Sequence, residues 1–222
     1  AGFGKEVLGQ KEQLGAEQHK KVVEGVEQLA KRFADADPAG LVAFRNELVG
    51  VLRSPLTGIG FRRDFGIEFA KAFRPILADA SPMRAIRASN AMIVARSVGT
   101  SECVDFIAEQ MDPGTQQETT IRLAAAAQLP KAIEGAPLSP PQLDALAKRV
   151  AGDARRETNW AVVAHEVECM TTMLRKEGLP PAQADAIAVT LGGTVNDLAA
   201  RVSDGSQPEL VKALQRSLLA DR

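Results

Sequence analysis

Apolar positions recur along this chain at intervals of three and four residues, which is the spacing of one face of an α-helix. Between residues 22 and 33, Val22, Val26, Leu29 and Phe33 follow this spacing, while lysines and glutamates occupy the opposite side. No segment alternates apolar and polar residues over a strand length with β-branched and aromatic side chains. The pattern therefore predicts an all-α protein with almost no strand.

Capping residues mark where several of these helices begin. Asp37 precedes Pro38, Ser81 precedes Pro82, and Ser139 is followed three residues later by Gln142, the spacing of a capping box. The predicted helices are residues 5–35, 38–53, 62–79, 82–98, 101–111, 116–133, 140–152, 158–177, 180–191, 194–203 and 207–220.

Glycines predict where the helices weaken or end. Gly9, Gly15 and Gly25 weaken the first helix, so we expect fraying before residue 17. Gly192 and Gly193 are expected to end one helix, and Thr194 to cap the next, while Ser206 would begin the last. The longest irregular stretch is 55–66, where the glycines 58 and 60 suggest a flexible loop and the single plausible internal boundary. We interpret residues 1–222 as one helical domain.

Short segments recur with a period near 40 residues. Ile86-Arg87-Ala88 is matched by Ile121-Arg122-Leu123, and the segment 104–108 has counterparts at 143–147 and 184–188. A period of this length with two helices per unit is typical of stacked helical repeats, whose units bury their apolar faces against neighbours. The matching positions predicted to be buried at these contacts are Val104, Ile107, Leu143, Leu146, Ile187 and Leu191.

Three segments resemble HEAT/armadillo-type repeats. Residues 79–91 resemble an inter-unit turn followed by a unit helix, with an Asp, a Pro, an Arg and then small residues; residues 121–127 and 159–165 resemble further copies of that helix. The resemblance is clearest over about 80–222. It implies a right-handed α-α superhelix, a solenoid of stacked antiparallel helix pairs. Most members of that class are scaffolds and binding modules, and a few are enzymes that act on nucleic acids.

Composition narrows the function classes further. Hydrophobic residues make up 45% of the chain, charged residues 25%, and the net charge is −1. Aromatic residues make up 4%, which argues against stacking platforms for bases and predicts a core of Ala, Val, Leu and Ile. No apolar run reaches the length of a membrane span. A first residue of Ala1 is compatible with a processed exported protein or a trimmed cytoplasmic one, so the compartment stays open.

The densest group of reactive side chains is the segment 165–169. His165 and Cys169 are four residues apart and share a helix face, but a metal site needs further ligands, and the second histidine, His19, is distant. The favoured interpretation places Val162, Cys169 and Met173 in the core, with Glu166 and Glu168 facing water. Cys103, near a helix start, is either an activated or a structural thiol, and the two cysteines are either free or bridged. We find no complete catalytic motif and predict neither a metal nor a cofactor.

Charge is segregated along the chain. Residues 53–96 contain eight Lys or Arg against three Asp or Glu, and seven of the eight are arginine. Arginine suits bidentate contacts with carboxylates and phosphates. We therefore predict that Arg62, Arg63, Arg84 and Arg87 bind a partner, although a solvated or internally paired face would give the same pattern. The favoured function is a non-enzymatic scaffold or adaptor that binds a protein or an acidic peptide. The alternative is a nucleic-acid-binding HEAT-like protein, including an enzyme that acts on DNA bases.

Overall fold

The computed structural model describes residues 3–203, and this part of the chain is all-helical. No strand occurs within it. Its helices are α1 (Lys5–Leu8), α2 (Ala16–Ala34), α3 (Pro38–Arg53), α4 (Ile59–Ala78), α5 (Arg84–Val98), α6 (Ser101–Glu109), α7 (Thr119–Gly135), α8 (Pro140–Arg156), α9 (Trp160–Leu174) and α10 (Pro181–Ser203). None of these helices is both long and apolar enough to cross a membrane. The predicted helix 207–220 and the cap at Ser206 lie outside the described residues.

Two predicted helix starts are confirmed, because a side-chain oxygen there accepts a backbone N–H group. Asp37 Oδ1 accepts the Gly40 N–H at 2.7 Å, and Gln142 Oε1 accepts the Ser139 N–H at 2.9 Å, so α3 and α8 begin as expected. Ser81 does not cap α5, which begins later, at Arg84.

Two predicted boundaries are wrong. The helix expected over 5–35 is two helices, because the chain leaves helical geometry between Gly9 and Gly15. Conversely, residues 180–191 and 194–203 form the single helix α10, which runs through Gly192 and Gly193. Thr194 is buried inside α10 and bonds the Thr190 carbonyl at 2.8 Å instead of capping a new helix. Packing of this helix against α8 and α9 outweighs the modest cost of two glycines.

Contacts divide the chain into two compact units. Unit 1 spans Ala1–Ile107 with Gly135–Pro137, and unit 2 spans Ala108–Glu134 with Leu138–Arg222. In unit 1, α2 packs on α4 and α3 on α5; in unit 2, α8 packs on both α9 and α10. Contacts between helices two apart in sequence are what stacked helix pairs make, so the fold is compatible with a helical repeat. The stretch 55–66, predicted as an internal boundary, lies inside unit 1.

The core of unit 1 is aromatic, which corrects the prediction from the low aromatic content. All eight phenylalanines of the chain belong to unit 1, and seven of them are fully buried. Phe61, Phe65, Phe69 and Phe73 recur every fourth residue on α4, and the last two stack with ring centroids 4.0 Å apart. Aromatic residues are few in the whole chain but are concentrated on one helical stripe.

The glycines at 58 and 60 belong to a fixed backbone contact, not to the flexible loop that was predicted. The Gly58 N–H donates to the Leu8 carbonyl at 2.7 Å, and the Phe61 N–H donates to the Gln10 carbonyl at 3.3 Å. A Cβ on Gly60 would lie 1.6 Å from the Glu12 carbonyl oxygen. Only glycine permits this approach, so the segment after α1 closes over the first turn of α4.

Five of the six positions predicted to be buried at repeat contacts are buried: Val104, Ile107, Leu143, Leu146 and Ile187. Leu191 is half-exposed, so that prediction is wrong. Its helix α10 turns Ile187, Thr194 and Leu198 inward, and Leu191 lies at the edge of that stripe.

Candidate functional site

A pocket of about 650 Å³ lies in unit 1, and we call it the arginine pocket. The start of α4 contributes Ile59, Arg62 and Arg63. Residues 96–102 form the turn from α5 into α6, and residues 135–137 complete the wall. The volume is within the range of ligand-binding pockets. The structure thus brings together two of the four predicted partner-binding arginines, Arg62 and Arg63, and adds Arg96.

Small residues line the pocket where the turn after α5 meets residues 135–137. Gly99 adopts a left-handed conformation, with φ of 71°, at the end of α5. A Cβ on Gly99 would lie 3.2 Å from the Gly135 carbonyl oxygen. Glycine therefore allows both the sharp turn into α6 and the close approach of the Gly135 carbonyl. The first turn of α6, with Ser101 and Glu102, is presented to the pocket.

Arg62 is a structural group as well as a lining residue. Its Nη1 donates to the carbonyls of Ser97 and Val98, at 3.1 and 3.3 Å, and its Nη2 donates to the Leu52 carbonyl. These carbonyls end α5 and α3, where unpaired acceptors and the negative end of the helix dipole favour a cation. Burial lowers the pKa of Arg62. The guanidinium is therefore largely committed to holding two helix ends.

Arg84 and Arg87 do not line the pocket, and they bind other helix ends. Arg84 Nε donates to the Leu77 carbonyl at 2.7 Å. Arg87 donates to the Ala34 carbonyl and to Ser81 Oγ, and it lies 3.7 Å from Asp79. Their role as partner-binding residues stays a prediction, but the structure supplies a reason within the fold for both.

Arg63 is the most exposed of the three arginines that line the pocket. Its side chain is about half-exposed, and its Nε lies 3.5 Å from Asp64 Oδ1. The other carboxylate oxygen of Asp64 lies 3.0 Å from His19 Nδ1, on α2. Asp64 is buried and contacts both side chains, so it joins α2 to α4 and orients Arg63.

Arg96 was not singled out from the sequence, although it belongs to the basic segment. Burial lowers its pKa, and the positive charge of Arg53 lowers it further. Arg53 and Arg96 therefore crowd like charges beside the pocket. Among the described residues, the lining contains one carboxylate, that of Glu102, against three arginines.

An apolar lip accompanies this charge. Ile59, which lines the pocket, is 75% exposed although it is a large aliphatic side chain. Leu56, three residues earlier and outside the lining, is 72% exposed. Val98, Ala136 and Pro137 continue the apolar surface inside the pocket. The site therefore offers cationic and apolar contacts side by side.

A second concentration of charge is buried in unit 2. Arg122 on α7 forms a bidentate ion pair with Glu157, with Nε–Oε2 of 2.5 Å and Nη2–Oε1 of 3.1 Å. Both side chains are nearly inaccessible. Burial alone would raise the pKa of Glu157, but bonds from Arg122 and from the N–H groups of Asn159 and Thr158 bring that pKa below its ordinary value.

Sequence reasoning missed the most unusual member of this region. Glu166 was expected to face water, but it is fully buried. Val162, Cys169 and Met173 face the core as predicted, and Glu168 is exposed. The signal was present, because Glu166 falls four residues after Val162 and three before Cys169, on the same apolar stripe.

The predicted reactive residues do not assemble. His165 Nδ1 lies 2.8 Å from Glu168 Oε2 at the surface, whereas Cys169 is buried with its Sγ 3.9 Å from the Ala126 carbonyl oxygen. Cys103 is also buried and free, and burial raises the pKa of its thiol to about 12. Across residues 3–203, no group of three or more His, Cys, Asp or Glu side chains is arranged to hold a metal ion.

Comparison of the chain with protein-family models, with curated proteins and with solved structures finds no match.

Proposed function

We propose that this protein is a non-enzymatic binding module, a HEAT/armadillo-like solenoid, that holds an acidic segment of another protein in the arginine pocket. The observation that carries the proposal is the pocket's lining, where three guanidinium groups and an exposed aliphatic lip surround a volume of about 650 Å³. The absence of a complete catalytic motif in the sequence supports a binding role.

Electrostatics favours an anionic ligand. In the described part of the lining, three arginines face one carboxylate, and Arg53 adds repulsion beside Arg96. A bound carboxylate relieves this repulsion and gains charge-assisted bonds from Arg63 or Arg96. The first turn of α6 adds the positive end of a helix dipole on the same wall.

The apolar lip favours a peptide over a nucleic acid. Ile59 is exposed, so an aliphatic or aromatic side chain of the ligand that covers it removes apolar surface from water and favours binding. A phosphate backbone has no such group. Glu102 in the lining repels a second closely spaced anion. Arg84 and Arg87, which would extend a basic track, are bonded to helix ends instead. The proposed ligand therefore has an acidic residue next to a bulky apolar one.

Selection from a random-peptide library on the immobilised chain tests this proposal. We expect enriched peptides to combine Asp or Glu with a large apolar residue, and their binding to weaken with added salt. The double substitution Arg63→Gln with Arg96→Gln should weaken the selected peptides at least tenfold, equivalent to about 1.4 kcal/mol. Ile59→Ser should weaken them too, at little cost to folding.

The matched control replaces Lys31 and Arg45 with Gln, which removes the same charge from unit 1 outside the pocket lining. This control should bind the peptides like the wild type. The proposal fails if enriched peptides lack acidic residues or if the pocket and control variants lose affinity equally. Tight binding of a labelled DNA duplex, lost in the pocket variant alone, would favour the nucleic-acid function instead.

A further inference from the structure

A histidine of unit 1 is held by a buried carboxylate on another helix. His19 lies on α2, and its Nδ1 is 3.0 Å from Asp64 Oδ2 on α4, a helix that packs directly on α2. Asp64 is 6% exposed, whereas the His19 side chain is 44% exposed. One nitrogen of the ring is therefore fixed against the interior, while a large part of the ring is open to solvent.

This contact decides which ring nitrogen is nucleophilic. An ionised carboxylate only accepts, so the hydrogen of the neutral ring lies on Nδ1 and the lone pair lies on Nε2. Among the described residues, Asp64 is the hydrogen-bond partner of the His19 side chain, and its Nε2 has none. Nε2 is thus a basic nitrogen that no internal donor occupies, which is what a nucleophilic histidine requires.

The other histidine of the chain makes a similar contact in a different environment. His165 Nδ1 lies 2.8 Å from Glu168 Oε2, but both residues belong to α9, and the Glu168 side chain is 56% exposed. Asp64, in contrast, is buried, and its Oδ1 also lies 3.5 Å from Arg63 Nε. A buried carboxylate stabilises positive charge on the ring more strongly than a hydrated one, because the effective dielectric constant around it is lower.

We propose that His19 is a phosphoryl-acceptor site, which takes a phosphoryl group on Nε2 from a phosphoramidate donor, the chemical class that includes a phosphohistidine of another protein. The Nε2 lone pair forms a bond to phosphorus, and the P–N bond of the donor breaks. The electron pair of that bond leaves with the protonated donor nitrogen, which departs as a neutral amine or imidazole. One P–N bond replaces another, so the transfer needs no further co-reactant. His19 does not line the arginine pocket, so this site is distinct from peptide binding there.

The neighbouring charges favour this transfer. The His19 ring keeps its Nδ1 hydrogen and gains a positive charge as the bond to phosphorus forms, and the Asp64 carboxylate, 3.0 Å away, stabilises that charge. Arg63 contacts the same carboxylate, and its half-exposed guanidinium adds a cation beside the ring for the anionic phosphoryl group. The cluster therefore combines an exposed nucleophile, a buried orienting carboxylate and a cation.

Phosphoramidate itself is the probe, and His165 is the reference within the same chain. Incubation with the probe, quenching in base and peptide mapping by mass spectrometry measure the phosphorylation rate of each histidine. We expect His19 to react at least about tenfold faster than His165 in the folded chain. In urea, where Asp64 no longer holds the ring, the two rates should be equal. Equal rates in the folded chain, or the same preference for His19 in urea, overturn the proposal.

Two matched substitutions identify the carboxylate that matters. Asp64→Asn keeps the side-chain shape and removes the charge, so it should lower the His19 rate to that of His165. Glu168→Gln removes the exposed partner of His165 and should leave the His19 rate unchanged. An unchanged His19 rate in Asp64→Asn overturns the proposal. The comparison of the folded and urea-unfolded native chain decides the question if Asp64→Asn does not fold.

Nitrogen-15 NMR of the neutral rings gives a readout that is independent of phosphorylation. The His19 ring, assigned with His19→Gln, should carry its hydrogen on Nδ1. A hydrogen on Nε2 would remove the lone pair from the nitrogen that faces away from Asp64, and it would overturn the proposal.

Discussion

Breaking the buried ion pair of unit 2 should give a penalty whose size depends on pH. In Arg122→Met, Glu157 loses both guanidinium bonds but stays buried and keeps the N–H groups of Thr158 and Asn159, each at 2.8 Å. Removing one partner of a buried pair costs about 3–5 kcal/mol. The carboxyl can instead take up a proton. At pH 7 this costs about 3.7 kcal/mol, or 1.36 kcal/mol for each pH unit above an ordinary pKa near 4.3.

Protonation therefore limits the penalty to about 3–4 kcal/mol at pH 7 and reduces it to about 1–2 kcal/mol at pH 5. In the wild type, the stability from this ion pair depends on pH in the opposite direction. Its Glu157 has a lowered pKa, so the stability from this pair is present above the ordinary pKa and is lost as pH falls below it. Burial raises the pKa of Glu166 to about 9, above this pH range, and the loss of Arg122 raises it further, so the difference between the two chains isolates Glu157.

Urea unfolding followed by Trp160 fluorescence at pH 5, 6 and 7 measures the difference. With a slope near 2 kcal/mol per molar urea, the midpoint of Arg122→Met should drop by about 1.5–2 M at pH 7 and by less than 1 M at pH 5. Arg122→Met combined with Glu157→Gln leaves no ionisable group in the pair, so its penalty should not vary with pH. A penalty under about 1 kcal/mol at pH 7, or one that is equal at pH 5 and pH 7, would show that Glu157 does not take up a proton when its partner is removed.

Two further pairs of substitutions test the fold. Gly60→Ala should lower the melting temperature because its Cβ would meet the Glu12 carbonyl. Gly50→Ala is the control: open space surrounds Gly50 in α3, so this variant should be neutral or stabilised by up to about 1 kcal/mol. Equal effects of the two substitutions would contradict the close backbone contact at Gly60. Leu146→Ala should lower the free energy of unfolding, measured in urea, by about 2–5 kcal/mol because Leu146 is buried. Leu191→Ala should lower it much less because Leu191 is half-exposed, and the reverse order would show that the core is misassigned.

The sequence predicts local features of this fold better than tertiary ones. Helices α3 and α8 begin where Asp37 and Ser139 predict, because capping depends on residues within one turn. The break between Gly9 and Gly15 and the continuity through Gly192 depend on packing against other helices, which spacing within one helix does not encode. The phenylalanines that recur every fourth residue on α4 are visible in the sequence, but the low aromatic content of the whole chain predicts a core without them.

The sequence predicts the candidate site only in part, because it shows which residues are basic but not which groups they contact in the fold. The basic segment led to Arg62 and Arg63, which line the pocket. The segment alone could not separate these from Arg84 and Arg87, because the carbonyls that bind the latter pair come from other helix ends. Residue type alone predicts that Glu166 faces solvent, although its position on the apolar stripe indicates burial.

The proposed binding role is tested most directly by mapping a selected acidic peptide onto the chain with amide NMR. The largest shift changes should occur at residues 59–63, 96–102 and 135–137, and they should vanish in the Arg63→Gln, Arg96→Gln variant. Shift changes concentrated elsewhere, or unchanged in that variant, would contradict the assignment of the arginine pocket as the binding site.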